Sequence, residues 1–382
     1  MSFEDYVNAY YKGGLDISAR YGIKKDDLTT GDGAYFNTMY GASVFNQLNT
    51  KSDVFKLFRK EGWTQSGWRV LTARTAAASN IGVAEGAGFG TSDVPDLAEV
   101  TATIKEIVSP YTVSTRAAIL AEADDGVKGL ATFLRAQAAE AHSYYIDTHL
   151  CADYAAVAVA GSDVNFTPLT RIASNYAQVA ARSGTVAAEV DIYDLGARGD
   201  GATWADGYVN HNSSTNRVLT LDILDATIQN AIENGASYDN LILLTGHTQL
   251  TELKQLITAG TSNATWRMAL ESQAPKGTNG VSSEPGMNLD GRMGYYDSIP
   301  IYATQHLATA MTDQSGGTSM GPMLLLDMEH LYMKIAAPTT FLAQEDLANV
   351  QALKRNYAFM TAGELIATKF NTQGLITDLK VA

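Results

Sequence analysis

The run from Ala123 to Cys151 constrains this chain more than any other stretch. Apolar Val127, Leu130, Leu134, Ala138, Ala141 and Tyr145 recur there at spacings of three or four. That spacing places them on one face of a helix about five turns long. Asp124 and Asp125 stand at its start, where carboxylates suit the helix dipole. Gly126 and Gly129 weaken the first turns. Lys128, Arg135, Glu140 and Asp147 fall elsewhere around the cylinder. The stretch reads as an axial strut.

A second constraint lies upstream. Trp68 to Ala73 and Thr101 to Val113 read as strands, the latter mixing Ile104, Ile107 and Val108 with Thr101, Thr103 and Thr112. Pro110 limits that run to a sheet edge or a bend. Between them lies Ala76 to Pro95, AAASNIGVAEGAGFGTSDVP, with Gly82, Gly86, Gly88 and Gly90 and neither Lys nor Arg. Two strands joined by a long small-residue tip predict a protruding hairpin, and loops of this length usually bind something.

The rest follows in order. Met1 to Lys60 reads as an arm, ending in the short amphipathic DVFKLFRK from Asp53. Gly161 to Asn216 is loop-rich, with turn clusters at Gly196–Gly201 and Asn210–Asn216. Leu221 to Asn234 predicts a helix with Leu221, Leu224, Ile228, Ala231 and Ile232 on one face, and Gly235 suits its C′ position. Leu241 to Leu244 reads as a buried strand and Leu250 to Ile257 as a helix, which together make an α/β unit. Thr261 to Arg292 is polar loop. Ser298 to Thr304, Met323 to Leu326, Leu331 to Ile335 and part of Tyr357 to Phe370 read as strands, and a last apolar run reaches Leu379.

Composition removes several classes. With 382 residues, 46% hydrophobic and 18% charged, the chain can bury about two or three cores and is not a disordered protein. Its one cysteine, Cys151, leaves no intrachain disulfide. A net charge of −14 and a pI near 4.8 argue against a nucleic-acid-binding surface. Met1 to Tyr21 lacks the pattern of a signal peptide, and no apolar stretch approaches the roughly 18 residues of a membrane span. The expected class is a soluble mixed α/β protein. Abundant glycine and tyrosine, 33 and 19 residues, suit extended interfaces.

No motif assembles chemistry. Gly317-Thr318-Ser319-Met320-Gly321 matches GxSxG, but the nucleophile elbow needs a strand before the serine and a helix after it, and here the order is reversed. Gly86-Ala87-Gly88-Phe89-Gly90 lacks the following helix of a phosphate loop. His142, Asp147, His149 and Cys151 lie close in sequence without a third ligand at zinc spacing. Arg198-Gly199-Asp200 is a tripeptide that chance supplies, and Asp200 to Asp206 has too few oxygen ligands for calcium. Adjacent pairs such as Asp26–Asp27 and Asp124–Asp125 point apart. The expectation is no catalytic residue, no cofactor and no metal.

The element order nonetheless resembles a known family. AEGAGFGTSDVPDLAEVTATIKEIVSPYTVSTRAAI (Ala84 to Ile119), the helix Ala123 to Cys151, LTLDILDATIQNAIENGASYDNLILLTGHTQLTELKQL (Leu219 to Leu256), GYYDSIPIYAT (Gly294 to Thr304) and the segment Leu324 to Leu379 are similar to successive parts of the major capsid proteins of tailed double-stranded DNA viruses, the Hong Kong 97 fold. The resemblance implies an α+β chain. It would have an N-terminal arm over 1–60, an extended loop over 61–113, and a peripheral domain over 114–217 with spine helix 123–151 and an insertion. An axial domain over 218–330 and closing strands over 331–382 would complete it.

It also implies a structural protein, not an enzyme, that assembles with itself into hexamers and pentamers of an icosahedral shell. The shell would enclose double-stranded DNA without sequence-specific binding and would meet a separate scaffold, a portal and decoration proteins. Its place would be the virion, assembled in the host cytoplasm, with no membrane. Gly86, Gly88, Phe89 and Gly90 at the loop tip would contact neighbouring subunits, the glycines allowing close approach and Phe89 serving as anchor. Family members often carry a charged helical scaffolding segment ahead of the arm; with Met1 leading into the arm, the expectation is a separate scaffold or a chain numbered after processing. The Lys-free tip, with Lys105 on the return strand, predicts no covalent cross-link. Two alternatives stay open: an encapsulin-type nanocompartment, and an α/β enzyme with a scattered site.

Overall fold

A computed structural model describes residues 54–73, 85–86, 95–114, 130–153, 165–175, 192–195, 203–259, 268–269, 292–307, 318–342 and 354–381. The chain divides into two compact units. Among the described residues, one draws on Glu106–Ile146 and Ala337–Ala362, the other on Asp53–Lys105, Asp147–Ala336 and Gly363–Ala382.

The larger unit is built on a seven-stranded sheet. Its strands are β5 (Tyr208–Asn210), β7 (Leu241–Gly246), β8 (Met268–Ala269), β9 (Arg292–Tyr296), β10 (Ile299–Thr304), β11 (Met323–Asp327) and β14 (Gly374–Ile376), in the order β5-β14-β11-β7-β10-β9-β8. β7 occupies the middle, parallel to β10 and antiparallel to β11. All six of its residues are buried, as its unbroken LILL requires of a strand covered on both faces. Helix α3 (Leu221–Glu233) buries Leu224, Thr227, Ile228 and Ala231. Leu224, Ile228 and Ala231 join Leu243, Ile301 and Leu325 in one cluster, with Leu221 and Ile232 packed at its margin. α3 ends as its sequence predicts. Gly235 takes φ +87, its N–H donates to Ile232 O, and the Ala236 N–H donates to Ala231 O, the paired bonds of a Schellman cap. Helix α4 (His247–Ala259) follows β7 directly.

The segment read as loop-rich contributes core. Phe166, Leu169, Ile172 and Ala173, around the single-turn helix α2 (Leu169–Ile172), are fully buried. The turn after β5 is ordered by the buried Asp378 carboxylate, which accepts from Asn212 N and Ser214 N at 2.6 and 3.2 Å. Near it, β6 (Arg217–Val218) pairs with β15 (Leu379–Lys380).

A four-stranded sheet has the order β1-β12-β13-β4, from β1 (Arg59–Gly62), β12 (Leu331–Leu342), β13 (Lys354–Ala367) and β4 (Lys105–Ser114). β4 lies at its edge, which accommodates Pro110. This corrects the expected hairpin. The antiparallel partner of β2 (Gly67–Ala73) is β3 (Asp96–Thr101), in register from Gly67↔Thr101 to Leu71↔Leu97 with a shift before Ala73↔Asp96, and the 105–114 stretch belongs to the other sheet.

In the smaller unit, Ser109 Oγ and Thr361 Oγ1 each lie 2.8 Å from one ring nitrogen of His142, and Thr361 Oγ1 meets Thr339 Oγ1 at 2.8 Å. Beside this chain, Tyr111, Tyr357 and Phe341 stack at 5.2 and 5.6 Å, and the Arg135 guanidinium lies 4.0 Å from the Phe341 ring centre.

The strut is helix α1 (Leu130–Leu150). Its covered face differs from the expected one. His142, Ile146 and Leu150 are buried, whereas Ala141 and Tyr145 are exposed. The covered line Leu134, Ala138, His142, Ile146, Leu150 runs at spacings of four, so it winds by about 40° per step around the cylinder.

Candidate assembly surface

The β2–β3 ribbon alternates strictly. Trp68, Val70, Ala98 and Val100 turn to the covered side, while Arg69, Leu71, Leu97 and Glu99 face outward. On the outward face the register pairs Arg69 with Glu99 and Leu71 with Leu97. The first pair is joined by a 3.1 Å ion pair with both side chains open to solvent, an arrangement that contributes little to stability. The second is an apolar pair 52% and 62% exposed. A two-stranded ribbon is marginal by itself in water, and directly opposed leucines left uncovered are characteristic of a surface that meets another.

At the root of the ribbon, a cleft of about 620 Å³ is lined by Gln65, Trp68, Thr101, Tyr332 and Lys334, among others. The buried Lys334 ammonium donates to Gln65 O at 2.9 Å. Burial and the nearby Glu61 carboxylate raise the Tyr332 pKa, and Arg59, whose guanidinium lies over its ring, opposes them. Just beyond the root, Lys105 opens β4. Its ammonium lies 2.8 Å from Glu364 Oε2, with side-chain exposures of 10% and 1%, and donates to Thr167 Oγ1 at 3.2 Å. Glu364 Oε1 accepts from Thr167 N and Leu365 N, each at 2.8 Å.

Of the tip residues singled out by sequence, Gly86 is exposed in a turn at φ +83, a conformation that favours glycine. Gly88, Phe89 and Gly90 lie outside the described residues, as do Arg198-Gly199-Asp200, Asp26–Asp27 and Asp124–Asp125.

The other candidates are occupied structurally. Ser319 accepts from Asn216 Nδ2 at 2.6 Å and forms a bridge to Lys380; β11 follows it, not a helix. Asp147 accepts from Val54 N and Phe55 N at 3.3 and 2.7 Å, fixing the turn before β1. Cys151 is buried, which pushes its thiol well above the ordinary value, with Asp147 adding to the effect. Burial lowers the His142 pKa. Among the described residues no three His, Cys, Asp or Glu side chains converge as a metal site, and no helix is long and apolar enough to cross a membrane. Sequence reading missed the Lys105–Glu364 pair and the turn Ile192–Leu195, whose Asp194 binds the ribbon root. Neither has a local signature, because their partners lie far away along the chain.

No protein-family model matches the chain, and no curated relative matches it by sequence. Solved structures do. A chain of the cyanophage A-1(L) capsid asymmetric unit is similar over 89% of this chain and 96% of its own, at 14% identity and a TM-score of 0.58. A chain from the capsid of a native GTA particle is similar over 96% of this chain and 100% of its own, at 11% identity and a TM-score of 0.52. One from the empty GTA particle covers 87% and 98%, at 11% identity and a TM-score of 0.52. Likeness over whole chains at such low identity establishes a shared architecture: the chain has the α+β, Hong Kong 97-like capsid fold.

Proposed function

We propose that the chain is a structural major capsid protein, not an enzyme, assembling with itself into hexamers and pentamers of an icosahedral shell around double-stranded DNA. The observation that carries this reading is the whole-chain likeness to capsid subunits. The uncovered Leu71–Leu97 pair on the ribbon supports it, because a shell subunit must keep apolar surface for its neighbours. In this reading 1–60 is a strapping arm, and 61–113 holds the extended loop, whose ribbon ends at Thr101, together with β4, which joins the four-stranded sheet. The peripheral domain, over 114–217 with spine helix 123–151, is closed by the strands of 331–382, and 218–330 is the axial domain. Gly86, Gly88, Phe89 and Gly90 meet a neighbouring subunit at the loop tip.

The protein belongs to the virion, is assembled in the host cytoplasm with a separate scaffold, and meets a portal and decoration proteins. With a net charge of −14, the shell confines DNA and does not grip it. Negative-stain microscopy of the protein expressed with its scaffold tests the reading. Closed shells are expected. A chain that stays monomeric by sizing under those conditions would refute it, and small shells loaded with an enzyme would point to a nanocompartment.

A further inference from the structure

Two adjacent side chains in the turn Ile192–Leu195 tie the root of the ribbon to β13. Asp194 reaches the ribbon: Thr101 N and Thr101 Oγ1 both donate to its carboxylate, at 2.7 and 2.5 Å. Thr101 ends β3 and stands in register with Gly67, which opens β2. Tyr193 reaches the other way. Its hydroxyl donates to Leu365 O at 2.7 Å and accepts from Ala367 N at 3.0 Å, both on β13. Its ring meets Trp68, one residue beyond the root, edge-on at 5.2 Å. Tyr193 holds φ 54, a conformation that a residue with a side chain keeps only when its surroundings over-determine it. Here they do: the turn is closed by Leu195 N donating to Ile192 O at 3.0 Å, and Ile192 is buried.

A ribbon's direction is set where it leaves the body. The ribbon carries seven residues in β2, about 20 Å of strand, so a small rotation at Gly67 and Thr101 becomes a displacement of several ångströms at its far end. We propose that Tyr193 and Asp194 are positioning residues that form a latch, holding the β2–β3 ribbon at the angle from which it meets a neighbouring subunit. The neighbour rests on the capsid reading; the latch does not.

Hydrogen exchange read by mass spectrometry on the purified full-length chain tests the latch. Asp194→Ala is expected to speed exchange of the Thr101 and Ala102 amides by about tenfold or more, since a charge-assisted pair is lost. Asp194→Asn should fall between, because its carbonyl still accepts from Thr101 N. Tyr193→Phe should also loosen Thr101, although the bonds of its hydroxyl to Leu365 O and Ala367 N lie on β13, and this coupling separates a latch from a local bond. Amides of β7 and α3 should not change in any variant, which controls for global unfolding. Unchanged Thr101 exchange in Asp194→Ala, or a Tyr193→Phe effect confined to β13, would overturn the proposal.

The positioning role has its own measurement. Asp194→Ala subunits are expected to give particles of mixed size and shape, and particles as uniform as the wild type would overturn it. Failure of the wild-type chain to form shells would instead remove the capsid reading and leave the exchange result standing.

Discussion

Lys105 Nζ lies 2.8 Å from Glu364 Oε2, with almost none of either side chain open to water. Burial raises the Glu364 pKa, and Lys105 together with the Thr167 and Leu365 amides opposes that rise. Such a pair is costly to break from one side, because the surviving charge is left buried and uncompensated. Glu364→Ala or Lys105→Ala is therefore expected to destabilise the chain by about 3–5 kcal/mol. The double replacement Lys105→Met with Glu364→Met should cost much less than the sum of the two. Denaturant unfolding of the four proteins checks this, and additive losses would contradict it.

The same pair bears on covalent assembly. Lys105 is the lysine nearest the Lys-free tip on the return side of the ribbon, and its ammonium is ion-paired within its own chain. A paired, buried ammonium is a poor nucleophile toward a neighbour. Assembled particles boiled in detergent are expected to run as a single band at the monomer mass, 40.9 kDa. A ladder of multiples would show a cross-link and rule out this account.

Much of the larger unit was legible because its signals are local. The spacing of Leu224, Ile228 and Ala231, the Gly235 stop and the apolar run Leu241 to Leu244 each act within a few residues, and each forms the element it predicts. The covered face of α1 is not legible from spacing, because Ala141 and Tyr145 count as apolar and His142 does not. Two hydroxyls hidden elsewhere in the chain decide the matter by satisfying His142 in the interior. The partner of β2 is hidden in the sequence for a related reason. Residues 96–101 and 105–114 both have strand character, and nothing in their composition says which one β2 will choose. The contacts of Asp194 with Thr101 span 93 positions, a separation across which no spacing rule operates. Residues 165–175 read as loop because polar residues and a proline interrupt them, yet tertiary packing buries them.

His142 should make the smaller unit sensitive to acid. Burial lowers its pKa from the ordinary 6.5, and its two near partners, Ser109 and Thr361, carry no charge to offset a proton. The unfolded chain takes up that proton at the ordinary value and the folded chain only at lower pH, so unfolding gains protons as pH falls. The contribution of His142 to stability is thus complete above pH 6.5 and is lost as pH drops through the folded value. Between about pH 7.5 and 5, wild type is expected to lose more stability than His142→Gln. Thermal unfolding across that range measures the gap, and parallel curves would exclude the effect.

Gly207 tests whether the buried stretch 165–175 is integral to the fold. Its N–H donates to Ser174 O at 2.9 Å, and a Cβ built there would fall 2.6 Å from the Ala173 carbonyl carbon. Backbone atoms cannot rotate out of the way as a side-chain end can. Gly207→Ala is expected to cost about 1–3 kcal/mol through overpacking. Gly62→Ala is the control, because nothing lies within 4 Å of the equivalent position. Equal melting temperatures for the two variants would show that the stretch yields freely.

The Leu71–Leu97 pair separates folding from assembly. Both side chains are more than half exposed, and they stand opposite each other on the outward face of the ribbon. Replacing an exposed side chain that covers nothing in its own chain changes stability by no more than about 0.5 kcal/mol. The same replacement placed in a subunit contact takes charged groups out of water against a neighbour, which costs several times as much even when the two are paired. Leu71→Glu combined with Leu97→Lys keeps the net charge at −14 and restores an ion pair of the kind already present at Arg69 and Glu99. That double variant should melt with wild type and still fail to form particles, whereas Leu97→Ala should assemble at a raised critical concentration. Sizing chromatography beside a melting curve reads both properties at once. Normal assembly by the charged double variant would show that this face of the ribbon stays in solvent in the finished particle.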